Sequence, residues 1–264
     1  MTDTLEAKSL WYKYKTQVWS AECEQTYAVH NIVRTFRALH GMKEFAYLSV
    51  PITSGIELYA CLERAYDIND PLREFLTRPA SSHDKRDASP EYDDIMASTI
   101  DYNYRKGYEF LKELQKRTDS PILHPADLVP RGHKWEQAHF QALWLTLIAE
   151  NSTSLHMSPQ WEFSTGAVEE FTHVYQLRLG LPEGEPGGSP FYNTQQSYQD
   201  ARERMRSIDV LDPEGNPLSI EAGIEQITSA ISWVENNRFN TDRLTSAVEL
   251  LEWTQQRIAE GFYQ

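Results

Sequence analysis

The chain has 264 residues, 40% of them hydrophobic, and a formal net charge of −14, so it can bury its own core without disulfide or metal staples. The acidic balance opposes a long nucleic-acid partner, whose phosphates are held mainly by Lys and Arg; a small phosphorylated ligand needs only a local cluster such as Arg131, His133 and Lys134. No apolar run approaches about 18 residues and the start Met1-Thr2-Asp3-Thr4-Leu5-Glu6 lacks signal-peptide character, which speaks against a membrane partner.

Residues 7–40 carry Tyr27, Ile32, Phe36 and Leu39 at roughly helical spacing, and His40-Gly41 ends the run, so an N-terminal helical extension over residues 1–42 is expected. Cys23 and Cys61 have neither CxxC nor metal-ligand spacing and are expected to be reduced thiols in a cytoplasmic protein. Phe45-Ala46-Tyr47-Leu48-Ser49-Val50 is an apolar run stopped by Pro51 and followed by Thr53-Ser54-Gly55: a buried strand with a loop at its C-terminal end, where ligands sit in α/β sheets. Residues 77–92 are too polar and broken for a core element and are expected to be a mobile insertion.

Residues 92–117 are expected to be helical, with Ile100, Tyr104, Leu111 and Leu114 as the buried stripe. Pro121-Ile122-Leu123-His124-Pro125 is a short strand candidate. Residues 135–150 form another helix, with Trp144, Leu145 and Ile148 on the packing face and His139 to one side, and Ser154-Leu155-His156-Met157 a third strand. Strand and helix alternate through this region, which predicts an α/β core over residues 43–178 with a mainly parallel sheet and flanking helices. Residues 179–264 are expected to add a Gly/Pro-rich linker from Gly180 to Pro190, a turn at Asp212–Pro217, a helix opened by Ser219 with Ile220, Ile224, Ile227, Ile231 and Val234 in register, and a last helix over 241–260 using Leu244, Val248, Leu251 and Ile258.

The run Trp161-Glu162-Phe163-Ser164-Thr165-Gly166-Ala167-Val168-Glu169-Glu170-Phe171 holds the densest chemistry. Ser164 or Thr165 can cap a helix, Gly166 lets a ligand approach the backbone, and a carboxylate in the next turn faces that ligand. Adjacent helix residues point about 100° apart, so only one of Glu169 and Glu170 can face a ligand well, and Glu170 is the expected one. The bland alternative makes both glutamates solvated first-turn acids. Ser49, Thr53 and Ser54 can supply hydroxyls to a sugar or phosphate, or be plain turn formers. Trp161 is either a wall of a base pocket or an aromatic that fills the gap beneath its loop.

Tyr47-Leu48-Ser49-Val50-Pro51-Ile52-Thr53-Ser54-Gly55, followed by Ser164-Thr165-Gly166-Ala167-Val168-Glu169-Glu170, resembles the nucleoside 2-deoxyribosyltransferase and nucleotide N-glycosidase superfamily. The resemblance covers roughly residues 45–56 and 105–175. Val50 stands where the family has a glycine, and Val168 replaces a second one. Pro125 fits the proline after the family's second strand; His139 or Glu136 lies where a helical aspartate is usual. Ser164, Gly166 and Glu170 meet the spacing of the late motif, and serine at its first position resembles the nucleotide-hydrolysing branch, where it contributes to a 5′-phosphate site.

The resemblance implies a Rossmann-like core, Glu170 as the catalytic carboxylate with Glu169 as competitor, and a pocket drawn from Ser49, Thr53, Ser54, Gly55, Pro125, His139, Trp161, Ser164 and Gly166; Tyr47 either orients the carboxylate through its hydroxyl or is plain core packing of a buried strand. It implies a nucleoside or nucleotide as ligand, no cofactor and a homo-oligomer. The expected reaction is hydrolysis of an N-glycosidic bond, in which an ionised carboxylate stabilises positive charge at C1 of the sugar. The alternatives are a deoxyribosyltransferase, in which a second base replaces water, and a non-catalytic nucleotide sensor or scaffold, suggested by Val50, the unmatched helical aspartate and the extra helices. No metal is expected, since His124, His133, His139, His156 and His173 are not spaced as a compact zinc motif. GxxxxGK[ST], GxGxxG and GxSxG are absent from the sequence.

Overall fold

The computed structural model describes residues 32, 44–77, 90–128, 137–179 and 203–260. The elements are β1 (Phe45–Ser49), α1 (Ile56–Ala65), α2 (Pro71–Thr77), α3 (Pro90–Leu114), β2 (Ile122–Leu123), α4 (Gln137–Asn151), β3 (Ser152–Met157), α5 (Thr165–Leu179), β4 (Asp209–Leu211), α6 (Ile220–Asn236) and α7 (Asp242–Ala259). The four strands form one parallel sheet in the order β2-β1-β3-β4. The chain is therefore an α/β protein. Apart from Ile32, which is helical, the N-terminal extension lies outside the described residues, as do Cys23, the Arg131, His133 and Lys134 cluster and the linker at 180–190.

β1 is central and buried at every position, so its residues alternate between two covered faces. Tyr47 belongs with Phe45, Leu155 and Met157 to the larger apolar cluster, which runs on into α4, α5, α6 and α7. Leu48 and Val50 turn to the other face and pack with Leu111 and Leu114 of α3. Among the described residues no helix is long and apolar enough to cross a membrane.

Several details depart from the sequence expectations. The helix after the polar stretch already begins at Pro90, so residues 90–92 belong to α3, and 78–89 lie outside the described residues. Its buried positions are Thr99, Asn103, Gly107, Leu111 and Leu114, one residue away from the expected Ile100 and Tyr104, which are exposed. The apolar pattern misleads because this face meets a loop and His124: a Cβ on Gly107 would lie 2.6 Å from His124 Nε2. In α4 the positions from Leu143 to Ala149 are all buried, so the helix is covered all round instead of on one stripe. Residues 56–77 form two helices where no element was expected.

β4 joins the sheet beside β3, with Val210 opposite Leu155. A boundary at residue 178 would thus cut through one sheet. α7 packs on α5 and on α6, and a Cβ on Gly223 of α6 would fall 2.2 Å from Phe171 Cζ, so the C-terminal helices lie directly against the helix that carries Glu170. Ser219 caps α6 as expected, accepting from Ala222 N at 3.2 Å.

Candidate active site

Strand alternation places Tyr47 and Ser49 on the same face of β1, and α5 crosses that face with Glu170. The Tyr47 hydroxyl donates to Glu170 Oε1 at 2.7 Å and the Ser49 hydroxyl to Oε2 at 2.5 Å. These three residues, 121 and 123 positions apart in the chain, thus converge at the sheet's centre. Burial pushes the Glu170 carboxyl up to about 7, while the Ser49 and Tyr47 hydroxyls pull it down and the Glu169 charge adds to the rise. The group is therefore not simply held ionised, as expected from sequence; it is divided between its two forms near neutral pH. Tyr47 is held well above its ordinary range by burial and by the neighbouring Glu170 charge, which keeps it a neutral donor.

The loop after β1 is fixed by glycine geometry and by a helix. Gly55 has φ of 101°, and a Cβ there would approach Pro51 Cβ to 3.0 Å, so this position favours glycine. Asn103 of α3 donates its side-chain amide to the carbonyls of Ile52 (3.1 Å) and Ser54 (2.9 Å). So held, Ser54 Oγ lies 3.1 Å from Ser164 Oγ. Ser164 in turn accepts from Ala167 N at 3.4 Å and so caps α5. Two helix N-termini, those of α1 and α5, open next to this serine pair. Gly166 has only Ser164 Oγ, at 4.0 Å, within reach of an added Cβ, which leaves that side of the first turn open.

The other candidate residues are placed less centrally. Thr53 is half-buried in the loop. Pro125 is buried at the start of the single 3-10 turn that follows β2, and His139 lies in the first turn of α4. Trp161 is fully covered, donates Nε1–H to Gln226 at 3.0 Å and packs against Phe171 with the rings tilted and their centroids 4.9 Å apart; it fills the space beneath its loop, as the packing alternative had it.

Glu169 does not face outward. It is buried, and its carboxylate receives the Arg243 guanidinium on Oε1 and the Gln141 amide on Oε2. Both glutamates lie in the second turn of α5 and neither is a solvated first-turn acid. Sequence reasoning missed Asn103, Gln141 and Arg243. Arg243 left one signal: a cation in the first turn of a helix opposes the macrodipole and so calls for a partner elsewhere. Among the described residues no three His, Cys, Asp or Glu side chains converge to hold a metal.

Comparison of the chain with protein-family models, with curated proteins and with solved structures finds no match in any of the three.

Proposed function

We propose that the protein hydrolyses the N-glycosidic bond of a nucleoside 5′-monophosphate or nucleoside, as a relative of the nucleoside 2-deoxyribosyltransferase and nucleotide N-glycosidase superfamily. One observation carries the reading: the Glu170 carboxylate is clamped by Tyr47 and Ser49 at the centre of a parallel sheet. The strand order β2-β1-β3-β4 supports a Rossmann-like, doubly wound sheet, whose switch point falls between β1 and β3, where ligands bind in such folds.

The chemistry follows from the charge. As the bond from C1′ to the base nitrogen lengthens, the sugar becomes cationic, and an ionised carboxylate stabilises or traps it. A Glu170 oxygen bonds to C1′ while the base leaves with the bonding pair and takes a proton from solvent. Water then adds to C1′, gives its proton to solvent and expels the carboxylate. Tyr47 and Ser49 orient Glu170 and favour its ionised form. The Ser54 and Ser164 hydroxyls, with the first-turn N–H groups of α1 and α5 that lack intrahelical acceptors, suit a 5′-phosphate.

The test is a panel of nucleosides and monophosphates, with and without acceptor bases. Free base from the unmodified protein and its loss by orders of magnitude in Glu170→Gln, with ligand binding retained, are expected. A new nucleoside formed only with an acceptor base would assign the transferase instead. Binding of monophosphates without base release would overturn catalysis in favour of a sensor.

A further inference from the structure

The site contains a second buried carboxylate immediately next to the first. Glu169 and Glu170 are both buried, and the charge of one acts on the other. Two neighbouring carboxylates in a low-dielectric interior cannot both ionise cheaply unless a cation balances one of them. Arg243, from the first turn of α7, reaches Glu169 Oε1, and Gln141 of α4 satisfies Oε2. Burial pushes the Glu169 carboxyl above its ordinary value, and the Arg243 guanidinium opposes that rise by charge and hydrogen bond, so the anion at this position depends on Arg243.

We propose that Arg243 is a positioning residue for Glu170 and acts through Glu169: its guanidinium balances the Glu169 charge and so leaves Glu170 free to carry a second negative charge against the sugar cation. The part played by the Glu170 charge rests on the N-glycosidic reading; the electrostatic coupling does not. Among the described residues, the other titratable group acting on Glu170 is Tyr47 of β1, which stays neutral. α4 presents the uncharged Gln141 to this region. His173, one turn along α5, is buried and pushed down to about 4 by that burial, so it brings no charge at neutral pH. Glu162, which precedes α5, is pushed up by burial but does not act on Glu170.

Carboxyl-13C glutamate NMR titration of the full chain reads the Glu170 midpoint without a ligand. Arg243→Met is expected to raise by about one pH unit, the size of a nearby-charge effect, the midpoint of the step that leaves both Glu169 and Glu170 charged, and Glu169→Gln to lower the midpoint of Glu170. In the Glu169→Gln background, Arg243→Met should have little further effect. An unchanged midpoint in Arg243→Met, or a full shift that persists in the double variant, would overturn the inference. If Arg243→Met does not fold, Arg243→Gln, which removes the charge but keeps a hydrogen-bonding side chain, is titrated in its place and judged by the same outcomes. A wild-type protein that releases no base would remove the N-glycosidic reading while the titration still judged the coupling. Where both hold, the acid limb of kcat/KM follows the NMR midpoint, which mere loss of packing would not produce.

Discussion

Replacing Tyr47 by Phe removes one oxygen from a fully buried ring and leaves its packing in place. What is lost is the hydrogen bond to Glu170 Oε1 at 2.7 Å, while Ser49 keeps its bond to Oε2 at 2.5 Å. A hydrogen bond to a charged group contributes about 1.5–3 kcal/mol, and 1.36 kcal/mol corresponds to about one pKa unit. Glu170 should therefore move from about 7 upward by about 1–2 units. At pH 7 its ionised fraction drops from about a half to roughly 1–10%, so kcat/KM should fall about 5- to 50-fold there and recover at higher pH.

The same shift can be read from stability. Glu170 has a folded-state pKa raised from 4.5 to about 7, so the folded protein keeps a proton that the unfolded chain releases. Its contribution is fully present below pH 4.5 and is lost as pH rises through about 7, a fall of roughly 3 kcal/mol. Urea denaturation at pH 5 and pH 8 should show this fall in the unmodified protein and not in Glu170→Gln. An acid limb in Tyr47→Phe at or below that of the unmodified protein would refute the assigned role of the hydroxyl.

Ser164→Ala should weaken monophosphates by about tenfold while affecting the matching nucleosides much less, because it removes one donor to phosphate and loosens a helix cap worth about 1 kcal/mol; calorimetry with both ligands measures the difference, and equal losses would place the phosphate elsewhere. Gly223→Ala drives a methyl to 2.2 Å from Phe171 Cζ and should destabilise by about 1–3 kcal/mol, read as a lower urea midpoint with unchanged slope.

Local patterns were legible and distant partnerships were not. The run from Phe45 to Ser49 shows itself as an apolar stretch before Pro51, and Ser164 as a cap before an apolar helix, because both signals lie within a few residues. α1 left a signal that went unused, since Leu58, Tyr59 and Leu62 bury one face at helical spacing. β4 has only three residues, too few for alternation to register. The meeting of Tyr47 with Glu170 was suggested by family resemblance and by nothing in the spacing. The burial of Glu169 was illegible because its balancing cation stands 74 residues further on.

That separation also bears on how the molecule comes into being. Tyr47, Glu170 and Arg243 are supplied by early, middle and late parts of the chain, so their meeting closes long loops, and contacts of high sequence separation slow folding. On the ribosome, β1 and α5 are made well before α7, and until α7 emerges Glu169 lacks the Arg243 guanidinium. The pair of carboxylates thus gains its balancing cation only when α7 docks on α5.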